Sequence, residues 1–508
     1  MSTPRQAGKP AGIPPAGQVR LGTASGRWVV LATVLGTGMA MLDMTAVNVA
    51  LPTIGRHFAA SLGGLQWIVS GYTLALAALI LLGGSLGDRF GRRRVFVTGM
   101  IWFALASALC GLAPAIGVLI AARVLQGMGG ALLVPGSLAI IQATFARPDR
   151  PRAIGAWSGL SGVAAAVGPL LGGWLVVAAG WRWVFLVNLP VAAVVAIVTV
   201  RRVPESSDGR EARRFDVAGA GLAATSLAAI TYALISGPAG AGTWTLATAA
   251  VIGGIAASAF VMLERHRGRS LTGPAPMLPL GIFASRQFSL MNVITFCVYA
   301  AFGGELFLLV LDLQSAAGFS ALAAGSSLLP VTVLMLVLSP RTAALAQRVG
   351  PRRPLAAGAV LCAAGLLAML RIGVHTAYVS DVLPAVLAFG LGLPLVVSPL
   401  TATVLASADV RDAGVASGVN NAVARAAGLI AVAGLPAAVG LRTAGYHSPG
   451  QLTSGFHLAM IVCAGLLVVA ALLAITMVDD RVLLEEEAQR PGLGRWRRRI
   501  GITIGTSG

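Results

Sequence analysis

Four charged residues lie inside long apolar runs of the 508-residue chain: two acids, Asp43 and Glu305, and two bases, Arg123 and Arg425. A charge in a segment long enough to cross a bilayer is costly unless it faces a cavity or a partner. Such residues are therefore candidates for proton transfer, for binding a charged substrate or for a buried ion pair. We predict that Asp43 takes up and releases a proton and that Arg123 tunes or relays this exchange. A purely structural ion pair is the alternative interpretation.

Asp43 and Arg123 are expected at similar depth in the membrane. Asp43 comes about 15 residues into the first apolar run, and Arg123 comes about 7 residues into the fourth, which crosses in the opposite direction. At a helical rise of about 1.5 Å per residue, both residues lie roughly 20 Å from the same side. The two side chains can therefore meet if their helices are neighbours.

Glu305 lies in the ninth apolar run, and the sequence leaves three interpretations of it open. It could bind a cationic substrate, carry a second proton or pair with a base such as Arg425. Asp312, farther along the same run, is expected to be solvated.

The composition places these residues in a membrane protein. Hydrophobic residues make up 56% of the chain and charged residues only 11%, against roughly 25% charged residues in soluble domains. The mean hydropathy is +0.84. The apolar runs are long and do not alternate with polar residues, so they predict transmembrane helices rather than barrel strands. We count about fourteen runs of sufficient length.

The basic residues are distributed unevenly between the two sides of these predicted helices. The formal net charge is +19, and 31 of the 37 basic residues fall on one side, where both ends of the chain also lie. Cytoplasmic loops of membrane proteins carry such an excess of arginine and lysine. We therefore expect a multi-pass protein of the cell (plasma) membrane with both termini cytoplasmic, and no nucleic-acid partner.

An internal repeat indicates two related halves. The segment Gly84–Arg94 follows the second predicted helix, and Ala343–Arg353 is a weaker copy in which Gly350 aligns with Gly91. Secondary transporters are commonly built from two such halves, with the substrate site between them. The predicted organisation is a disordered cytoplasmic tail, a six-helix bundle, a linker with two inserted transmembrane helices, a second six-helix bundle and a basic cytoplasmic tail, over residues 1–27, 28–200, 201–287, 288–478 and 479–508.

Five segments resemble motifs of the major facilitator superfamily, and within it of the fourteen-span drug:proton antiporters. They are the loop G-x-L-a-D-R-x-G-R-R, the first-helix motif L-D-x-T-V-V-N-V-A-L-P, R-x-x-Q-G-x-G, G-P-x-x-G-G and W-R-W-x-F-x-x-N-x-P. They occur here at Gly84–Arg94, Leu42–Pro52, Arg123–Gly130, Gly168–Gly173 and Trp181–Pro190. The weaker copy departs from the loop motif, because Gln347 replaces its acid and Ala343 its first glycine.

The resemblance implies an all-α integral membrane protein with the major facilitator fold, two six-helix bundles plus an inserted helix pair. It implies export of small amphipathic compounds, such as drugs, antibiotics or a self-made metabolite, in exchange for protons. The two buried acids favour a cationic substrate. The energy source would be the proton gradient, with no cofactor, and a monomer in the lipid bilayer is expected.

The resemblance also assigns roles to particular residues. The proton-coupling group is expected at Asp43 and Arg123, to which we add Glu305. A loop that holds one conformation of the transport cycle is expected at Gly84, Asp88, Arg89, Gly91 and Arg92. The antiporter motif, whose small residues allow helices to bend and pack closely, comprises Gly168, Pro169, Gly172 and Gly173. Candidate cavity residues, for each of which helix packing is an equal alternative, are Asn48, Trp67, Tyr72, Gln126, Trp157, Asn188 and Arg425.

Other functions find less support in the sequence. The only lysine is Lys9, in the N-terminal tail, so no transmembrane or loop segment supplies the lysine of a phosphate-binding loop. No motif of a membrane-embedded enzyme is present, and the four cysteines lie in apolar runs without metal-ligand spacing. A facilitator or importer of another small metabolite remains the alternative to an exporter.

Overall fold

The computed structural model describes residues 19–207, 216–269, 276–408, 413–441 and 448–480. Over these ranges the chain is helical, and fourteen helices are long and apolar enough to cross a membrane. This confirms the predicted fold class and number of spans. We label these helices α1 Ala24–Phe58, α2 Leu62–Phe90, α3 Arg92–Gly111, α4 Ile116–Thr144, α5 Arg150–Ala178, α6 Trp183–Arg202, α7 Val217–Ser236, α8 Thr243–Arg269, α9 Arg286–Ser315, α10 Ala321–Val349, α11 Arg352–Arg371, α12 Tyr378–Ala406, α13 Ala413–Ala438 and α14 Pro449–Met477.

Two of the helices are interrupted. α6 consists of Trp183–Leu186 and Asn188–Arg202, with the break at Val187. α10 consists of Ala321–Ser326 and Leu329–Val349. In each case a proline stands at the second or third position of the second segment, where its missing N–H costs no helical hydrogen bond. The break in α6 places Asn188 at the start of a helical segment.

The segment before α1 corrects the predicted tail. Residues 1–18 lie outside the described residues, but Val19 is buried and its N–H donates to Thr144 O at 3.3 Å. Asp149 accepts a hydrogen bond from Leu21 N at 3.0 Å, and Thr23 caps α1 by accepting from Gly26 N. Residues 19–27 are therefore ordered, because their backbone groups bond to the end of α4 and the turn after it.

Two compact units can be distinguished. The first comprises Met1–Pro279, Leu306–Leu329 and Leu429–Phe456, and the second comprises Leu280–Glu305, Pro330–Gly428 and His457–Gly508. In the first unit α1 packs on α5, α4 packs on both α2 and α3, and α7 packs on α8 and α2. In the second unit the most extensive packing joins α11 and α12. The division into two six-helix halves stays a prediction.

The internal repeat is visible in the backbone. Gly91 joins α2 to α3 with φ at 101°, and Gly350 joins α10 to α11 with φ at 84°. Both values lie in the region that favours glycine. The same type of junction therefore occurs at both copies of the repeated segment.

Candidate functional site

A buried ion pair lies at the centre of the first unit. Arg123 of α4 donates from Nη1 to Asp43 Oδ2 of α1 at 2.5 Å, and the two residues are 1% and 0% exposed. The similar depth inferred from the sequence is thus matched by direct contact. A buried ion pair needs further hydrogen bonds to offset the loss of hydration, and the surrounding side chains supply them.

Two amide side chains surround the carboxylate. Gln126 Nε2 and Asn188 Nδ2 donate to Asp43 Oδ1 at 2.9 and 3.0 Å. Both amides also donate to Ser107 Oγ, at 3.0 and 2.9 Å, and Ser107 in turn donates to the Phe185 carbonyl at 3.0 Å. We call Asp43, Arg123, Gln126, Asn188 and Ser107 the Asp43 cluster. Its members come from α1, α3, α4 and α6, so it ties four helices together.

The guanidinium of Arg123 is held on its other sides as well. Nε donates to the Ile68 carbonyl of α2 at 3.2 Å, and Nη1 also donates to Gln126 Oε1 at 2.7 Å. The Tyr72 ring lies 4.2 Å from the guanidinium carbon and the Phe185 ring 5.8 Å. Aromatic faces attract a cation at such distances. The Arg123 guanidinium is thereby held between the Asp43 carboxylate and the two aromatic rings.

This arrangement links the protonation of one carboxylate to the packing of several helices. Removing one partner of a buried ion pair is costly, about 3–5 kcal/mol, because the other charge is left uncompensated. A proton on Asp43 would have this effect on Arg123. A change of protonation at Asp43 would therefore alter the contacts that join α1 to α4 and α6.

Glu305 lies in the second unit and is 4% exposed. Pairing with a base such as Arg425 is one of the three interpretations that the sequence left open, and it stays a prediction. Asp312 corrects a prediction: it is fully buried rather than solvated, and Thr453 Oγ1 donates to its Oδ1 at 2.9 Å.

The predicted loop at Gly84–Arg94 forms its own ion pair. Asp88, in the last turn of α2, accepts from Arg92 Nε at 3.0 Å and from Nη2 at 2.8 Å. The Arg89 guanidinium lies 5.4 Å from the Phe90 ring, and Gly84 lies against Pro135 of α4. Asp88 does not cap the start of α3, which is the position where an acid would interact best with a helix dipole.

Glu205 takes that position, and the sequence reasoning missed it. Its Oε1 accepts from Arg93 N at 3.0 Å, and its Oε2 lies 3.6 Å from Arg93 Nε and 3.7 Å from Arg94 Nε. At the second copy of the repeat, Asp480 Oδ1 accepts from Arg352 N at 3.0 Å. In each predicted half, the capped helix is the one that follows the glycine of the repeat. The acid that caps it stands just after the last helix of that half. The repeat of an acid at these two places was the available signal.

The small residues of the antiporter motif let α5 approach two other helices. A Cβ atom on Gly172 would lie 2.8 Å from Ala46 Cα of α1, and one on Gly173 would lie 2.8 Å from Leu322 Cα of α10. Gly168 faces Thr45 of α1 in the same way, and the Pro169 carbonyl faces Gly325 of α10. These glycines lie against neighbouring helices on both sides of α5, and their role as an antiporter motif stays a prediction.

The candidate cavity residues are placed in different surroundings. Gln126 and Asn188 belong to the Asp43 cluster, and Tyr72 is fully buried under Arg123. Trp157 donates from Nε1 to Thr37 Oγ1 at 3.1 Å, and Asn48 donates to the Met44 carbonyl within α1. Trp67 lies 6.5 Å from the Tyr232 ring, in an apolar cleft of about 520 Å³ beside α7 and α8.

The described residues contain no cluster of histidine, cysteine, aspartate or glutamate side chains that could hold a metal ion. The four cysteines, Cys110, Cys297, Cys362 and Cys463, are buried within helices. Cys110 Sγ donates to Gln126 Oε1 at 3.5 Å and so borders the Asp43 cluster.

The sequence is similar to known transport proteins. A family model described as the Major Facilitator Superfamily matches residues 33–432. The "Multidrug resistance protein Stp" of Mycobacterium tuberculosis (strain CDC 1551 / Oshkosh) is 37% identical over 397 residues, which cover 77% of this chain and 72% of that protein. The "Puromycin resistance protein pur8" of Streptomyces alboniger is 34% identical over 476 residues, 91% and 93% of the two chains. The "Tetracenomycin C resistance and export protein" of Streptomyces glaucescens is 34% identical over 406 residues, 80% and 74%.

Solved structures with the same fold are more distant in sequence. A POT family transporter in complex with 5-aminolevulinic acid gives a TM-score of 0.67 at 13% identity, over 92% of this chain and 99% of that one. A bacterial homolog of the human lysosomal transporter Spinster, in an inward-facing and unoccupied conformation, gives 0.62 at 16% identity, over 91% and 98%. At such identities the likeness concerns the fold alone.

Proposed function

The chain belongs to the major facilitator superfamily and is a multi-pass membrane transporter, and we propose that it exports small amphipathic compounds in exchange for protons by alternating access. The observation that carries the proposal is the buried Asp43–Arg123 pair with its amide neighbours. The side with 31 of the 37 basic residues is the cytoplasmic one, and both termini lie there in a plasma membrane. The protein acts as a monomer and uses no cofactor.

Asp43 is the proton-coupling carboxylate. While it is ionised, Arg123, Gln126 and Asn188 hold it among α1, α4 and α6. A proton that reaches it neutralises one half of the ion pair and releases these helices to rearrange. Proton entry down a membrane potential releases about 2.3 kcal/mol per charge for each 100 mV, and this energy would drive export.

The names of similar proteins support the direction and the substrate class. Two are named for drug or antibiotic resistance, and a third for resistance and export of tetracenomycin C. Export of a toxic compound accounts for resistance more simply than uptake does. The gradient-coupled exporter is therefore preferred to a facilitator or importer.

Glu305 is the second charge in the transport cycle. It is buried in a helix that is long and apolar enough to cross a membrane. A carboxylate in that situation either takes a proton or attracts a cation. We assign it to the binding of cationic substrates, with a second coupled proton as the other use of the same group.

Transport by purified protein in proteoliposomes tests the proposal. A panel of antibiotics and dyes, screened in cells that express the protein, first identifies a transported compound by reduced susceptibility. The wild-type protein should then move that compound against its gradient when a pH gradient is imposed, with protons moving the opposite way. Asp43→Asn should be inserted normally and lose gradient-driven transport.

Asp479→Asn is the matched control, because it makes the same chemical change at an exposed carboxylate beyond α14. It should retain coupled transport. Full coupled export by Asp43→Asn would contradict the role of Asp43. Movement of the compound only down its gradient, with no proton flux in the wild-type protein, would make the protein a facilitator.

A further inference from the structure

Two glutamine side chains bind backbone carbonyls of neighbouring helices near one end of the bundle. Gln66 of α2 donates from Nε2 to Val432 O at 2.7 Å and to Ala433 O at 3.0 Å, both in α13. Gln314 of α9 donates from Nε2 to Val49 O of α1 at 2.9 Å. We propose that these two contacts, the glutamine latches, hold this end of the transporter closed and open in every transport cycle.

The latches lie toward the arginine-poor face. We use this name for the face at which α1, α9 and α13 end and α2 begins. Gln66 is in the second turn of α2, and Gln314 is in the last turn of α9. They are 4% and 7% exposed. Each amide belongs to one predicted half of the chain and each carbonyl to the other, so the two contacts are reciprocal.

Pro436 explains why Val432 has a carbonyl available to Gln66. Proline lacks an N–H, so the carbonyl four residues earlier in a helix loses its usual donor. In α13 that carbonyl belongs to Val432. A buried carbonyl without a donor is costly, and Gln66 supplies the donor from another helix. The closed contact therefore satisfies a group that α13 cannot satisfy alone.

The second latch lies beside a second proline. Val49 stands three residues before Pro52 in α1, whereas the carbonyl that loses its helical donor to Pro52 is that of Asn48, four residues earlier. A carbonyl oxygen has two lone pairs and can accept from a side chain as well as from a helical N–H. Gln314 uses this capacity of the Val49 carbonyl. The Val49 acceptor therefore does not depend on a proline, unlike the Val432 acceptor.

The two latch glutamines are themselves buried, with 4% and 7% of their surface exposed. In the same unit the Pro169 carbonyl faces Gly325, and Gly173 faces Ala321, with no room for a side chain between the helices. Leu51, two residues after Val49 in α1, is 1% exposed. Water can replace the glutamine amides at these carbonyls only when the helices separate. The latches are therefore broken when the arginine-poor face opens and form again when it closes.

The chemistry of the latches suits a contact that must be reversible. They are neutral hydrogen bonds, each of which changes an equilibrium constant by about fivefold, whereas a buried ion pair is far harder to separate. The inference rests on the proposed alternating-access cycle. Within that cycle the latches favour the state in which the arginine-poor face is closed.

Cysteine labelling measures the closed state directly. A cysteine at Leu51 should react slowly with a membrane-impermeant maleimide applied from the arginine-poor side, because Leu51 is buried there. Gln66→Leu and Gln314→Leu should each raise the labelling rate about fivefold, and the double variant should raise it further. The four native cysteines are buried. Their residual labelling is measured in the same variants without Leu51→Cys and is subtracted as background.

Two controls accompany the labelling experiment. Gln142→Leu makes the same substitution at an exposed position at the end of α4 and should leave the rate unchanged. A cysteine at Thr243, exposed at the start of α8, should label equally in all variants and verify that the protein is inserted. An unchanged rate at Leu51→Cys in the double variant, with normal labelling at Thr243→Cys, would overturn the proposal.

A proline variant distinguishes a latch from a general packing role. Pro436→Ala restores an N–H that can bond to the Val432 carbonyl within α13. The effect of Gln66→Leu on labelling should therefore shrink in the Pro436→Ala background, while the effect of Gln314→Leu should not. Equal effects of Gln66→Leu in both backgrounds would show that Gln66 does not act through this carbonyl.

The labelling result and the transport result can fail separately. If the glutamine variants raise labelling but wild-type export needs no proton gradient, the latches stand and the proposed antiport is wrong. If Asp43→Asn abolishes coupled export but the glutamine variants leave labelling unchanged, the antiport stands and the latches are wrong.

Discussion

The carboxylate of Glu205 fills the space in which a side chain on Gly91 would stand. A Cβ atom on Gly91 would lie 2.8 Å from Glu205 Cδ and 2.8 Å from its Oε1. The same carboxylate accepts from the backbone N–H of Arg93. Glycine is therefore required at position 91 for two reasons. It allows the positive φ at which the chain turns, and it leaves room for the carboxylate that caps α3.

Gly91→Ala should destabilise the α2–α3 junction. A residue with a side chain is strained by about 1–3 kcal/mol at such dihedral angles, and the added methyl group would also displace Glu205. We expect a lower unfolding temperature in detergent and reduced transport. Gly254→Ala in α8 is the control, because no atom lies within 4 Å of the added methyl there. A junction that tolerates Gly91→Ala as well as Gly254→Ala would contradict this account.

Substitutions at Glu205 should separate its charge from its capping role. In Glu205→Gln the amide oxygen can still accept from Arg93 N, so only half-exposed ion pairs are lost, worth about 0–1 kcal/mol. Glu205→Ala leaves the start of α3 uncapped, at a cost of about 0.5–2 kcal/mol. Thermal unfolding should therefore rank the wild-type protein and Glu205→Gln above Glu205→Ala. The reverse order of the two variants would mean that the ion pairs with Arg93 and Arg94 dominate.

Arg123→Lys should impair transport although the charge is kept. Arg123 uses Nη1 for Asp43 and Gln126 and Nε for the Ile68 carbonyl, and one ammonium group cannot reproduce this planar arrangement. Loss of one hydrogen bond to a charged group costs about 1.5–3 kcal/mol, so gradient-driven export should fall about tenfold or more. Arg371→Lys, at an exposed position, should have no effect. Equal export by the two variants would show that charge alone suffices at Arg123.

Glu305→Gln should change substrate selection rather than abolish transport. The amide has the shape of the carboxylate without its charge, so export of cationic compounds should fall while export of neutral ones persists. Transport of one cationic and one neutral substrate by the same preparation measures this. A parallel loss of both substrates would instead assign Glu305 to proton coupling, and unchanged export of both would leave it a structural residue.

Several features could be read from the sequence because they depend on local patterns. The fourteen spans follow from unbroken apolar runs, since a helix in lipid must satisfy its own backbone and cover it with apolar side chains. The contact of Asp43 with Arg123 could be anticipated because the depth of a residue in a membrane helix is proportional to its distance along the chain. The glycine junctions at Gly91 and Gly350 were likewise indicated by the repeated motif.

Other features depended on which helices lie side by side. Glu205 is separated from Arg93 by more than a hundred residues, and only its correspondence with Asp480 in the other half distinguishes it in the sequence. Ser107, Gln66 and Gln314 are uncharged side chains that form hydrogen bonds. Their partners are determined by helix packing rather than by any periodic pattern in the sequence. Trp67 was a candidate for the cavity but lies beside Tyr232 of α7. Hydrogen bonds act only over about 3 Å, so only the tertiary structure decides which polar groups join Asp43 in its cluster and which backbone carbonyls Gln66 and Gln314 contact.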